Sequence, residues 1–263
     1  MTQTMRILNR KIDIEKFYRS LAKEGPKLLF LDYDGTLAPF NIEPKLAYPY
    51  PGVPSLLKEI VSNDSVRLVI ITGRSVAEIT PLLGLEQQIE IWGTHGREHS
   101  LPDGSYHKTD MSPTQKKGLN EGIANILALQ PQVRPEAKPG SVAFHWRGIK
   151  PGELLKFREE MISELNRIGE EHKLDVHSFN GGMELIVPGM NKGNAVREVL
   201  KTVTPDTPIA YLGDDLTDED AFFELKYKGL SVLVRNSLRE TQADVWIHPP
   251  HELITFLEKW TKA

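Results

Sequence analysis

The sequence predicts an α/β protein: a doubly wound parallel-sheet core with a smaller α+β segment inserted into it. Three observations lead there. Short, continuously apolar runs such as Leu28 to Leu31 alternate with helical stretches, the pattern of strands buried on both faces and joined by helical crossovers. The pattern changes near residue 109, where strands of period 2 and longer helices take over, and it resumes after Pro188. Each core run also ends in a polar cluster, and in open α/β sheets the ligand crevice lies outside the carboxyl ends of the strands.

Residues 13–24 carry Ile14, Phe17, Leu21 and Ala22 at helical spacing, and Gly25-Pro26 stops that helix. A strand at 28–32 follows, then a loop through Pro39, Pro44, Pro49, Pro51 and Pro54, too Pro-dense for regular structure. A helix over 54–63 leads to a buried strand within 65–75 that runs into a turn. A helix near 75–84 ends at Gly84, and 88–99 supplies a third strand. Such repetition implies right-handed crossovers and a parallel sheet. In the insert, 113–130 reads as a helix, 141–147 as an alternating strand, and 151–170 as a charged amphipathic helix. A second alternating strand spans 173–187, with a turn at Gly181-Gly182. The core resumes with a helix at 192–201, a strand at 208–215, a helix at 218–227, and strands at 231–235 and 244–247. The last stretch, HPPHELITFLEKW, reads as a loop and a closing helix. The expected division is a core of 1–108 and 188–263 around an insert of 109–187.

Composition narrows the function classes. A hydrophobic share of 40%, a charged share of 26% and a mean hydropathy of -0.33 are those of an ordinary globular chain. A net charge of -4, with basic residues scattered along the chain, gives no reason to expect nucleic acid or an anionic membrane as a partner. The absence of cysteine excludes disulfides, thiolate metal sites and cysteine nucleophiles. No stretch has the apolar length of a leader or a membrane span, so a cytoplasmic protein is the expectation.

The strand-end clusters are Asp32 and Asp34; Thr72, Gly73 and Arg74; Lys192 and Gly193; and Gly213, Asp214 and Asp215, followed by Asp218 and Asp220. Read singly, Asp32 and Asp34 would be a turn-forming pair before Gly35, Thr72 a helix N-cap, and DDLTDED an acidic helix start. Read together they suit phosphoryl transfer from a monoester. A carboxylate nucleophile splits hydrolysis into formation and breakdown of an acyl phosphate. A hydroxyl and a lysine hold the phosphoryl oxygens, and further carboxylates suit Mg²⁺, which prefers oxygen ligands. A second acid two residues on can protonate the leaving alkoxide and then activate water.

DYDGTL, ITGR, NKG and GDDLTDED, in that order, resemble the four signature motifs of the haloacid dehalogenase superfamily of phosphatases. Within it, LFLDYDGTLAPF and GDDLTDEDAF are most similar to the trehalose-6-phosphate phosphatase family. The resemblance implies a Rossmann-like core with a C2-type cap and a Mg²⁺-dependent hydrolysis of trehalose 6-phosphate. It implies Asp32 as nucleophile and Asp34 as general acid/base, with Thr72, Gly73 and Lys192 on the phosphoryl group. Asp32, Asp214 and the Asp34 carbonyl would ligate the metal, with Asp215 and Asp218 behind them. His95 and Gly96 on the core, and Arg147 and Glu184 on the cap, would meet the sugar. The partners implied are a small sugar phosphate and the sugar-phosphate synthase of the same pathway. One departure stands out: Ile186 and Val187 occupy positions where a basic residue is common in the family. Phosphatases of glucosylglycerol phosphate, mannosyl-phosphoglycerate or sucrose phosphate, a phosphomutase, and a non-catalytic binding module are the alternatives.

Overall fold

The computed structural model describes residues 5–138, 140–146, 148–179, 181–188 and 191–263. They form two compact units, residues 1–107 with 191–263, and residues 108–190.

The first unit is built on a nine-stranded sheet. In chain order its elements are β1 (Arg6–Ile7), α1 (Ile14–Leu21), β2 (Lys27–Leu31), α2 (Val53–Val61), β3 (Val66–Ile71), α3 (Val76–Leu83), β4 (Glu90–Gly93), β5 (Glu98–Ser100) and β6 (Tyr106–Lys108). The second unit contributes α4 (Pro113–Leu129), β7 (Arg134–Lys138), β8 (Ser141–His145), α5 (Pro151–His172), β9 (Asp175–Phe179) and β10 (Gly182–Ile186). The chain then returns through α6 (Lys192–Leu200), β11 (Ile209–Gly213), α7 (Glu219–Leu225), β12 (Leu230–Val234), β13 (Val245–Ile247) and α8 (His251–Thr261).

The large sheet has the order β1-β13-β12-β11-β2-β3-β4-β5-β6, and the six strands from β13 to β4 are parallel. Its double winding is visible in β2. Leu29 and Leu31 pack into a cluster with Leu57 and Ile60 of α2, Ile79 of α3, and Phe256 and Trp260 of α8. Leu28 and Phe30 pack on the other face with Val196 and Val199 of α6 and Phe222 of α7. Each of these four side chains is at most 1% exposed, and full burial of such a side chain is worth about 1.5–3 kcal/mol. A strand with two buried faces has no place for alternation, which is why the run is continuously apolar.

Local signals set the helix ends. Ser75 and Glu78 form a reciprocal capping box at the start of α3, and Gly84 takes the left-handed conformation at its end. The third expected strand is broken. Thr94, His95 and Gly96 have φ values of 51°, 55° and 102°, and this left-handed run turns the chain so that β5 pairs antiparallel with β4. The short edge strands β1 and β6 were not expected, because RI and YHK carry no apolar pattern.

The second unit is a four-stranded antiparallel sheet, order β7-β8-β10-β9, with α4 and α5 against one face. The 173–187 segment is a hairpin, and β7 is a strand absent from the expectation, because RPEAK has the wrong composition for one. Val142, Phe144, Met183 and Leu185 join the cluster on the helices. Glu136, Ala143, Glu184 and His177 lie opposite one another in a row, on the other face.

Candidate active site

Three neighbouring strands carry the principal cluster. β11, β2 and β3 are parallel and in register, with Leu212 beside Leu31 and Leu31 beside Ile70. Asp214, Asp32 and Thr72 therefore leave the sheet at adjacent carboxyl ends. The Asp32 N–H still donates to the Leu212 carbonyl, at 2.9 Å, so the ladder fixes the backbone up to that residue.

Asp32 is buried, and both of its carboxylate oxygens are engaged. Lys192 Nζ donates to Oδ1 at 2.6 Å and the Thr36 hydroxyl to Oδ2 at 3.2 Å. Lys192 opens α6, which is capped by the Asn191 side chain accepting the Asn194 N–H. The same ammonium donates to Asp218 Oδ1 at 2.8 Å. Asp218 is fully buried, and three more donors converge on it: the Tyr211 hydroxyl at 2.6 Å, and the Asp214 and Asp215 N–H groups at 3.0 and 2.9 Å. Four donors around one carboxylate offset the cost of its burial and hold the 214–215 turn in place. From outside, Arg235 donates to the Asp214 carbonyl at 3.2 Å and Arg239 to the Asp215 carbonyl at 2.7 Å.

Close approach depends on glycine. A Cβ at Gly35, where φ is +82°, would collide with the Asp214 carboxylate, and one at Gly213 would collide with Asp218.

Carboxylate oxygens of Asp32, Asp214 and Asp218 all lie within 4.8 Å of one another. Among the described residues the cation hydrogen-bonded to these carboxylates is Lys192, so three carboxylates share one ammonium. Burial pushes the Asp32 carboxyl above its ordinary 3.8, against the pull of Lys192. Burial, Asp32 and Asp218 push Asp214 up as well. Lys192 stays charged, because Asp218 and Asp32 outweigh the burial that works against it. Asp214 Oδ1 is buried and has no partner among the described residues. An all-oxygen, anionic donor set with one buried oxygen unclaimed fits a hard divalent cation. Asp215 is not in this set; its N–H and carbonyl serve the turn instead. Asp218, expected only behind the ligands, is at the centre of the cluster.

The other expected residues fall as follows. Asp34 faces Arg74, whose Nε and Nη2 donate to its two oxygens at 2.6 Å each. Thr72 is buried, and its hydroxyl accepts the Arg74 N–H at 3.2 Å. Gly73 lies against the His95 ring, since a Cβ there would be 2.7 Å from Nε2. Gly96 faces the start of α6, where a Cβ would be 3.4 Å from the Asn191 carbonyl. The left-handed turn thus brings His95 and Gly96 to the sheet end that holds Thr72 and Lys192. In the second unit, Glu184 sits on the sheet face away from the helices, and its Oε1 is buried without a partner among the described residues. Arg147 lies outside the described residues.

Thr36, Tyr211, Arg235 and Arg239 complete the site without having been expected in it, and Arg74, named in its strand-end cluster, had been given no role. Thr36 and Arg74 were within reach, since they belong to DYDGTL and ITGR themselves. Tyr211 sits in an apolar strand, where no pattern separates it from the core.

The trehalose-phosphatase family model matches residues 30–245. A trehalose-phosphate phosphatase of Mycobacterium ulcerans is 30% identical over 220 residues, covering 80% of this chain and 54% of its own length. The chain spans about half the length of the curated relatives it matches. A crystal structure described as a trehalose-6-phosphate phosphatase related protein superposes with a TM-score of 0.67 at 26% identity, covering 89% of this chain and 97% of the other. The C-terminal domain of the Candida albicans trehalose-6-phosphate phosphatase shares the fold, with a TM-score of 0.81 at 20% identity and 99% of each chain covered.

Proposed function

Because the chain belongs to the trehalose-phosphatase family, we propose that it is a Mg²⁺-dependent sugar-phosphate phosphatase converting trehalose 6-phosphate and water to trehalose and phosphate. The observation that carries the reading is Asp32, set at a strand end between Lys192 at 2.6 Å and Thr36 at 3.2 Å, beside the unclaimed oxygen of Asp214.

A carboxylate oxygen of Asp32 attacks phosphorus, and the bond from phosphorus to the sugar oxygen breaks. Asp34 gives its proton to the departing alkoxide. Water then attacks the phosphorus of the aspartyl phosphate and passes a proton to Asp34. The phosphorus–Asp32 bond breaks, inorganic phosphate leaves, and both carboxyl groups return to their starting states. Lys192 and Thr72 hold the equatorial oxygens, and Lys192 exchanges a carboxylate partner for a phosphoryl oxygen as the substrate arrives. Asp32, Asp214 and the Asp34 carbonyl would hold Mg²⁺, which would supply positive charge against the negative charge on the phosphoryl oxygens. Residues 109–187 are read as the cap, and Glu184, Arg147, His95 and Gly96 as the residues that would meet the sugar.

A charged sugar phosphate does not cross a bilayer unaided, so the enzyme works where its substrate is made. That setting is the cytoplasm, with a sugar-phosphate synthase as the supplying partner. Among the described residues no helix is long and apolar enough to cross a membrane.

The test is phosphate release from trehalose 6-phosphate, sucrose 6-phosphate, glucose 6-phosphate, glucosylglycerol phosphate and mannosyl-phosphoglycerate, each with Mg²⁺ and with EDTA. Mg²⁺-dependent preference for trehalose 6-phosphate is expected. Preference for another member would keep the chemistry and replace the sugar, with Ile186 and Val187 as the first suspects. No release from any of them would favour a mutase or a binding module.

A further inference from the structure

Arg74 makes three bonds to two separate segments. Its side chain is 11% exposed; Nε and Nη2 fork the Asp34 carboxylate at 2.6 Å each, and Nη1 donates to the Pro44 carbonyl at 2.7 Å. The guanidinium carbon lies 5.5 Å from the centre of the Tyr33 ring. Tyr33 is itself fully buried, and its hydroxyl donates to the Ala47 carbonyl at 2.7 Å. The Pro-dense loop is therefore tied down at Pro44 and Ala47, by the residue that holds Asp34 and by the residue just before Asp34. The Asp34 side chain is 29% exposed, on a turn, and without the fork nothing in this network would fix its rotation. A planar fork matches a carboxylate edge to edge, which a lysine cannot do.

We propose that Arg74 is a positioning residue: it sets the orientation of the Asp34 carboxylate toward the departing sugar oxygen. The role rests on the function proposed above, in which Asp34 protonates that oxygen. An alkoxide needs the proton in order to leave, whereas p-nitrophenolate leaves without it. Loss of Arg74 should therefore act on the first kind of substrate and only through Asp34.

The experiment is a double-mutant cycle of Arg74→Ala and Asp34→Asn. It reads leaving-group release in a single turnover, which reports phosphorylation of Asp32 alone. The substrates are p-nitrophenyl phosphate and the sugar phosphate that the unsubstituted protein hydrolyses best. Arg74→Ala is expected to slow sugar release by on the order of 10²-fold and nitrophenolate release far less. In the Asp34→Asn background it should add little. Arg74→Lys, lacking the fork, should resemble Arg74→Ala, and it replaces that variant in the cycle if Arg74→Ala fails to fold. Equal slowing of both substrates, or an undiminished effect in the Asp34→Asn background, overturns the proposal while leaving the phosphatase reading intact. Inactivity of the unsubstituted protein on every substrate overturns the phosphatase reading and this role with it.

Discussion

A buried carboxylate is tolerable only in company, and the three at this site differ in the company they keep. Asp218 has four donors, Asp32 has Lys192 and Thr36, and Asp214 keeps a buried oxygen unpaired. Burial raises Asp32 and Asp214 above their ordinary 3.8, so the folded protein holds protons that the unfolded chain has released. The stability this contributes is complete below the ordinary value and is lost as pH rises through the raised values. In EDTA, the melting temperature should fall as pH rises from about 5 to about 9. Mg²⁺ binds the ionised carboxylates, so the gap between Mg²⁺ and EDTA melting curves should widen over the same range. A gap that stays constant with pH would contradict this account of the cluster. Asp32 and Asp214 could be read from the sequence, because each closes an apolar run, whereas Asp218 sits in an acidic stretch that reads as a helix start. The division of labour among them could not. Asp218 serves a turn four residues wide, and Arg74 meets Asp34 across forty positions of chain. Neither relation leaves a periodic trace.

At the scale of elements, what could be read in advance was whatever burial imposes on composition. β2, β3, β11 and β12 show as apolar runs because both faces are covered, and α3 shows through Ser75, Glu78 and Gly84. β1, β6 and β7 are short or polar, and their pairing is decided by neighbours rather than by their own residues. The turn at Thr94 to Gly96 was hidden for a related reason: a left-handed threonine and histidine are held by tertiary structure, not by propensity. Helix pairing offers a direct check. α4 approaches the end of α5 so closely that a Cβ at Gly118 would strike the His172 side chain and lie 2.9 Å from Leu174 Cδ1. Gly118→Ala should destabilise the protein by about 1–3 kcal/mol through overpacking. Urea denaturation measures it, and an unchanged midpoint would mean that the helices separate at no cost.

The whole molecule is two units with separate cores, and every carboxylate of the cation cluster belongs to the first. Ligand binding stabilises only the unit whose folded state binds. Calorimetry should therefore resolve a transition that Mg²⁺ raises, assigned to the sheet of β2, β3 and β11, and one that it leaves in place, assigned to 108–190. A single transition that shifts as a unit would show that the two cores unfold together. The expected insertion between two halves of one sheet could be read from the return of core-type strands after Pro188, since both halves carry the same continuous apolar runs.

The central claim is that Asp32 carries the phosphoryl group during turnover. Acid-quenching the protein within a single turnover of a sugar phosphate, followed by mass spectrometry of its peptides, reads this directly. The account predicts a phosphoryl adduct on the peptide containing Asp32, transient in the unsubstituted protein and absent in Asp32→Asn; in Asp34→Asn it should be long-lived when p-nitrophenyl phosphate, whose leaving group needs no proton, is the donor. An Asp32→Asn protein that keeps full phosphatase activity, or an adduct on any other residue, would contradict it.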